Sequence, residues 1–547
     1  MRFIISGLLL LVLFTLGSSC ASSPGVTDPD AQQLFIGENI AVAPTAYGKV
    51  KGYVLRDIYH FMGIPYGANT SGKNRFMPPC PPEPWEGVLP CVYFPTSAPQ
   101  IIRYPRSSES YPAFVDRWNY DEIGEDCLRL NVWTPAPDAR KRPVIVWLHG
   151  GGFSSGNSIE QNGYGGENLS RYGDVVFCSV NHRLNAFGFS DFSGVGGEAF
   201  KNSGNVGLLD IIAALEWIRD NISNFGGDPG NVTIIGQSGG GSKVSAVATM
   251  PAAKGLVHKA VALSGNSIKA GNPDYSAALG ENILKEAGLQ PSQISQLQEM
   301  PWEEYLSLAN RAATKFNSQM EGQGIRGGFG PVADGIVLPA DTYFSADDPS
   351  IPDIPMLYCT TFHEWNPNRD LPQMEGISLD DVVKQLQDNY GEDAHEIVAA
   401  YAGQFPDKKP IEILALINSN RVNVVHAANT KLQQQSPVYM AWFGWEPPLF
   451  DGRQRAFHCI DICFWFCNTD LMVTHTGGGK VPRTLSGKMA DALLQFMKTG
   501  NPNGGSLPKW PEYTRENGET MVLNVHSKAM NDPDREARKV LENAMGR

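Results

Sequence analysis

Ser238 stands in a run of glycines, Gly236-Gln237-Ser238-Gly239-Gly240-Gly241, directly after the apolar stretch Val232-Thr233-Ile234-Ile235. Glycine is costly to order in a folded chain, so four glycines around one hydroxyl need a reason. A flexible linker would not follow a buried strand and precede a helix. The segment fits G-x-S-x-G, a strand-to-helix turn too tight for flanking side chains. Such a turn strains the serine backbone and stands its hydroxyl clear at the end of the sheet. The next helix offers free N–H groups and a positive dipole end there. A serine so placed is a candidate nucleophile. It needs a base, an acid to orient the base, and donors for the negative charge that develops on an attacked carbonyl. The donors have a candidate in His149-Gly150-Gly151-Gly152-Phe153, which follows the apolar run ending at Leu148. Successive glycines let backbone N–H groups point into one cavity. Gly151 and Gly152, with the N–H of Gly239, are the candidate oxyanion hole. The alternative is a plain glycine turn after a strand.

Elements of a particular kind must hold these groups. Pro143 to Leu148, Asp174 to Val180, Asn231 to Ile235 and Lys259 to Leu263 are short, continuous apolar runs. Such runs suit strands buried on both faces of a parallel sheet. Leu208 to Phe225 has the spacing of an amphipathic helix, and Ser242 to Met250 reads as the helix after the serine turn. Strand, helix, strand, helix predicts an α/β fold. Longer helical stretches between about 272 and 450 form a lobe or cap over the sheet's edge. No linker is evident after residue 35, so residues 36–547 read as one large domain.

Composition narrows the function. The chain has 547 residues, 42% hydrophobic and 18% charged, with a formal net charge of −13. Phosphate contacts need a basic surface, so nucleic acid is excluded as a partner. Arg2 precedes an apolar run from Phe3 to Gly17, then Ser18-Ser19-Cys20-Ala21. The run is too short for a spanning helix and reads as an export signal over 1–20; an N-terminal membrane anchor is the competing reading. Cys20 after small residues suggests lipoprotein processing, although Gly17 stands where a leucine is usual. Two locations stay open: a secreted or periplasmic protein, and one held at a membrane through lipidated Cys20. Residues 21–35 read as a flexible tether. The nine cysteines are few for the length. Export permits disulfides, but they are not the main scaffold.

Longer motifs add a resemblance. "EDCLRLNVW" (125–133), "GNVGLLD" (204–210) and "ALEWIRDNISNFGGDPGNVTIIGQSGGG" (214–241) are joined by "RFMPP", "PWEGV" and the late "TGNPN…LPKWPEY". With these the chain resembles the type-B carboxylesterase family, in a bacterial-type form, from about Val50 to near the C-terminus. That family has the α/β-hydrolase fold and also contains the cholinesterases. The resemblance implies a large, mostly parallel mixed sheet flanked by helices. It implies a triad in the order serine, glutamate, histidine, and ester cleavage through an acyl-enzyme with no metal or organic cofactor.

By position in the family's segments, "IPMLYCTTFHEWNP" (354–367) gives Glu364 as the acid, and "AFHCIDICFWF" (456–466) gives His458 as the base. Ser264 in "LSG" matches an accessory serine near the pair; a buried structural hydroxyl is the alternative. Thr360-Thr361-Phe362 replaces the usual Gly-x-Asn before the acid. Asp461 and Cys463 replace a glutamate and a proline after the base. Gln237 stands where cholinesterases carry glutamate, and Trp118 is off the position of their choline-binding tryptophan. The expected partner is therefore a small-molecule ester, not a choline ester. The family's disulfide partner for Cys127 is missing at Ala98-Pro99-Gln100. Cys91 or Cys80 could substitute, with Cys91 favoured, and a free Cys127 is the other reading. Cys459, Cys463 and Cys467 would share a helix face, but zinc on His458 would disable the triad. Competing functions are a narrow hydrolase for one bulky natural ester, and an inactive adhesion or binding protein on the same fold.

Overall fold

The four apolar runs become four adjacent strands. The computed structural model describes residues 31–102, 119, 122–320, 327–365 and 371–546. Its main sheet has twelve strands. In chain order they are β1 (Leu34–Phe35), β2 (Tyr53–Leu55), β3 (Ile58–Pro65), β4 (Arg129–Thr134), β5 (Arg142–Leu148), β6 (Val176–Val180), β7 (Gly227–Gln237), β8 (Lys259–Leu263), β9 (Met356–Thr361), β10 (Val438–Phe443), β11 (Glu519–Leu523) and β12 (Lys528–Asn531). Their spatial order is β1-β2-β3-β4-β6-β5-β7-β8-β9-β10-β11-β12. From β6 to β11 every pairing is parallel; the flanking pairs are antiparallel.

Side chains alternate across this sheet, as strand geometry requires. Val144, Val146 and Leu148 of β5 join the core on one face, and Ile145 and Trp147 the core on the other. A strand with both faces buried has no polar face to show, which is why these runs read as unbroken apolar sequence. The fold is α/β, of the mostly parallel kind expected.

The helices differ in detail from expectation. The helix after the second run, α1, spans Val206–Asn221, and a 3₁₀ turn at Ile222–Phe225 finishes the segment. The helix after the serine, α2, spans Gly239–Thr249 and so starts three residues earlier than expected. Glycines argue against helix by propensity, but here close approach overrides propensity. A Cβ on Gly236 would lie 2.4 Å from the Gly240 carbonyl, so strand and helix touch backbone to backbone. Between β8 and β9 lie α3 (Pro273–Ala287) and α4 (Trp302–Met320), which pack on aromatic residues that include Phe187 and Phe192. Four further helices, Leu379–Tyr390, Asp393–Gln404, Pro410–Leu416 and Ser419–Lys431, lie between β9 and β10 and share a core with Trp442.

Three expectations are corrected. Leu34–Phe35, inside the stretch read as a tether, is a strand hydrogen-bonded to β2. The Cys91–Cys127 disulfide does not form: both are free, buried thiols. Their surroundings differ, since Cys91 feels the charge of Arg129 and Cys127 that of Asp210 and Arg183. Cys459, Cys463 and Cys467 do not share a helix face. The only helix there is Ile462–Trp465, and Cys459 and Cys467 have left-handed backbones at φ 75° and 61°. Cys20 and Trp118 lie outside the described residues. Among the described residues, no helix is long and apolar enough to cross a membrane.

Candidate active site

Ser238 ends β7 with φ 58° and ψ −125°, a conformation that costs a non-glycine residue of order 1–3 kcal/mol. Two hydrogen bonds hold it there. Its N–H donates to the Leu263 carbonyl at 2.8 Å, and its carbonyl accepts from Ser242 N–H at 3.1 Å. The side chain is half-buried, and its hydroxyl has no hydrogen-bond partner among the described residues. A strained turn fixed from both sides therefore presents an available oxygen at the carboxyl end of a central parallel strand.

The ends of β9 and of the segment after β10 bring Glu364 and His458 together. Glu364 Oε2 lies 2.5 Å from His458 Nδ1. The carboxylate is buried, and its other oxygen accepts from Ser264 Oγ at 2.6 Å and from Thr361 N–H at 2.8 Å. The backbone adds a tie, with His458 N–H donating to the Glu364 carbonyl at 2.9 Å. Glu364 thus fixes the ring from Nδ1 and leaves Nε2 for other work. Burial disfavours the imidazolium, but the Cys459 sulfur and the Glu364 carboxylate outweigh it and raise the proton affinity of His458 well above the ordinary range. Burial also pushes the Cys459 thiol up. At neutral pH that thiol is protonated, so Glu364 supplies the negative charge His458 feels.

Gln237 fills the space beside the ring. Its Nε2 lies 3.3 Å from His458 Nδ1 and 3.2 Å from Nε2. One amide nitrogen equally far from both ring nitrogens is in line with neither lone pair. Gln237 is therefore a neighbour of the ring and not its acceptor's partner. Its Oε1 accepts from Cys459 Sγ at 3.1 Å.

The candidate oxyanion glycines meet at the serine. Gly151 and Gly152 have φ 80° and 64°, and both are exposed. A Cβ on Gly239 would lie 2.2 to 2.4 Å from the backbone of Gly152, so these two residues approach as closely as glycines allow. A Cβ on Gly150 would stand 3.5 Å from Ser238 Cβ.

Two residues at the site went unnoticed in the sequence. Trp365, next to Glu364, is 61% exposed and lies against the His458 ring. Lys243, on α2, is fully buried, with its ammonium on the carbonyls of His149 and Gly150. A lysine in the apolar stretch "KVSAVATM" was the available signal for the second. His363, beside Glu364 in the chain, gathers with Glu412 and Glu446, their ligand atoms all within 4.8 Å of one another. The Lys408 ammonium already bonds both carboxylates there, at 2.7 and 3.2 Å, and serves as the cation of that cluster.

A family model described as carboxylesterase family matches residues 39–541. The chain is 33% identical over 511 residues to para-nitrobenzyl esterase of Bacillus subtilis, covering 91% of this chain and 98% of that one. Among solved structures, an esterase of Clostridium hathewayi described as hydrolysing aliphatic aromatic polyesters is similar with a TM-score of 0.78. It is 34% identical, over 94% of this chain and all of that one. A carboxylesterase of Geobacillus stearothermophilus is similar with a TM-score of 0.73 and 31% identity, over 92% of this chain and all of its own.

Proposed function

The chain belongs to the carboxylesterase family and is a carboxylic ester hydrolase, and on that premise we propose that Ser238, His458 and Glu364 form its catalytic triad. His458 Nε2 takes the proton from Ser238 Oγ as the oxygen attacks the ester carbonyl carbon. Glu364 holds the Nδ1–H tautomer and offsets the charge of the imidazolium. N–H groups of Gly151, Gly152 and Gly239 receive the oxyanion. The tetrahedral intermediate collapses, the alcohol leaves with the proton from His458, and the acyl group stays on Ser238. Water then attacks by the same route, and the acid product departs. Ser264 is an accessory residue that keeps Glu364 oriented.

One observation carries this reading: the 2.5 Å contact between His458 Nδ1 and Glu364 Oε2, at a ring that Gln237 also approaches, the residue just before a serine held at φ 58° on a helix N-terminus. The exposed indole of Trp365 against His458 favours esters that carry an aromatic ring near the scissile bond. The absence of a carboxylate at Gln237 speaks against a cationic group there. Ser238, Glu364 and His458 are all present, which speaks against an inactive binding protein on the same fold.

The deciding experiment is hydrolysis of p-nitrophenyl butyrate by the full chain beside Ser238→Ala of equal folded content. The expected result is turnover by the wild type and near-background rates for the variant. A variant that keeps most of the activity would remove Ser238 from the mechanism. No turnover and no labelling of Ser238 by a fluorophosphonate would favour the binding protein.

Two further proposals rest on sequence. Residues 34–547 act as a single unit, supported by the pairing of Leu34–Phe35 in the main sheet and by the length of the family match. Residues 1–20 direct export, with Cys20 either lipidated or simply passed over. The intact mass of the mature protein distinguishes these outcomes.

A further inference from the structure

Lys243 is among the least expected residues in the molecule. It lies on α2, five residues after the serine, and is 0% exposed. A buried ammonium ordinarily has a carboxylate partner, because an unpaired charge in the interior is costly. Among the described residues Lys243 has no ion-pair partner. Its Nζ donates instead to the His149 carbonyl at 2.9 Å and, at the limit of hydrogen-bond length, to that of Gly150 at 3.5 Å. The ring of Phe153 lies 5.8 Å below it. An apolar residue would pack here at far lower cost, so the charge asks for a purpose.

The two carbonyls stand directly before Gly151 and Gly152. Glycines have no side chains to anchor them, and the exposed loop would drift unless its base were held. Bonds from a charged donor are about twice as strong as neutral ones, and α2 is fixed at its other end by the Ser238 turn. Resting on the triad and oxyanion roles proposed above, we propose that Lys243 is a positioning residue for ester cleavage. By gripping the carbonyls of His149 and Gly150, it sets the N–H groups of Gly151 and Gly152 for the oxyanion and places a positive charge behind them.

Other charges around Lys243 are sparse. His149 and His182 stack 5.1 Å apart, each held neutral by burial with Lys243 adding to the effect, and Glu160 is the acidic group that feels Lys243. Burial lowers the Lys243 pKa to about 7. The ammonium is therefore present below neutral pH and lost as pH rises through that value. A contribution of this charge to catalysis adds a descending inflection to the kcat profile near neutrality, set against the rise expected from deprotonation of His458.

The experiment compares wild type, Lys243→Met and Lys243→Gln, each of verified folded content, in kcat and KM for p-nitrophenyl butyrate across pH. Lys243→Met keeps the length and loses both charge and donor. Its kcat is expected to fall about 10- to 100-fold, within the range seen when catalytic groups are misplaced or an oxyanion donor is lost. KM is expected to move by no more than about twofold, since the interaction acts in the transition state. Lys243→Gln can donate to the same carbonyls and should recover part of kcat. Both variants should lack the descending inflection near neutral pH. A folded Lys243→Met with wild-type kcat, or with the wild-type pH profile, overturns the proposal. Should neither variant fold, a wild-type profile without the descending inflection overturns it. The triad reading fails separately: an active wild type with an equally active Ser238→Ala removes the triad, whereas an inert Ser238→Ala beside an unaffected Lys243→Met removes only the role of Lys243.

Discussion

Trp365 lays its indole against the imidazole of His458, with ring centroids 4.4 Å apart and planes inclined by 31°. The tryptophan follows Glu364 directly, so one turn delivers both the carboxylate at Nδ1 and an aromatic face beside the ring. An indole face attracts a cation, and the imidazolium that the proposed mechanism forms on His458 is such a cation. The face left open to solvent is available to an aromatic group on the ester.

Trp365→Ala should therefore act unequally on different esters. Aromatic contacts are worth about 0.5–1.5 kcal/mol beyond area burial, or about 2- to 13-fold in rate. We expect kcat/KM for a benzyl or phenyl ester to fall by that factor more than for an ethyl ester of the same acid. Parallel kinetics on the two esters check this. Equal losses would mean that Trp365 serves only the histidine.

Ser264 donates to Glu364 Oε1 at 2.6 Å, beside the Thr361 N–H at 2.8 Å. Hydrogen bonds to a charged group contribute about 1.5–3 kcal/mol, but Ser264→Ala leaves the Thr361 donor in place. An order-of-magnitude loss in kcat is expected, about 10-fold. The carboxylate, relieved of one donor, pulls more strongly on the imidazolium and raises the His458 pKa further. His458 must be neutral to act as base. The rising limb of the pH–rate profile therefore moves to higher pH in Ser264→Ala. A limb that stays in place while kcat falls would assign Ser264 to packing alone.

Asp210 belongs to the "GNVGLLD" block, and its place in the fold explains that block in physical terms. The carboxylate is fully buried and accepts from Arg183 Nη2 at 2.6 Å, Nε at 2.8 Å and N–H at 3.0 Å. Removing one partner of a buried pair strands the other charge and costs about 3–5 kcal/mol. Asp210→Leu and Arg183→Met should each lower the unfolding midpoint sharply. The double variant Asp210→Leu/Arg183→Met should be less destabilised than the sum of the single changes. Denaturant unfolding of the four proteins measures the coupling.

Much of this arrangement was legible in the residues. The strands β5 to β8 stood out because burial on both faces leaves no polar alternation. The serine turn stood out because close approach of strand and helix demands glycine. Motif position led to Glu364 and His458, which the structure brings to hydrogen-bonding distance. The start of α2 was hidden because its first turn is all glycine, which local propensity reads as loop. Lys243 was hidden because a lysine ordinarily marks the surface, and only tertiary packing puts it under the glycine loop. Trp365 sits in a turn, where no periodicity tells which way a side chain faces. The Cys91–Cys127 pairing failed because connectivity cannot be deduced from sequence.

Asp461, where the family carries a glutamate, allows a prediction with opposite signs at two pH values. It is fully buried. Oδ2 accepts from Trp465 Nε1 at 3.2 Å, whereas Oδ1 has no hydrogen-bond partner among the described residues. Burial, and then the nearby Glu364 carboxylate, raise its pKa to about 7, partly countered by the Trp465 donor and by His458. In the unfolded chain this carboxyl has an ordinary, much lower pKa. Between the two values the folded state binds more protons than the unfolded one, so stability falls as pH rises through this window. Above neutral pH the folded protein bears a buried carboxylate at full cost. Asp461→Asn removes that charge and keeps an acceptor for Trp465, while adding donors that the site does not pair. The variant should therefore unfold at a higher temperature than the wild type at pH 8 and gain nothing, or lose slightly, at pH 5. Thermal unfolding of both proteins at the two pH values checks the sign. A variant destabilised equally at both would mean that Asp461 is charged and well solvated across the range, and that burial does not set its behaviour.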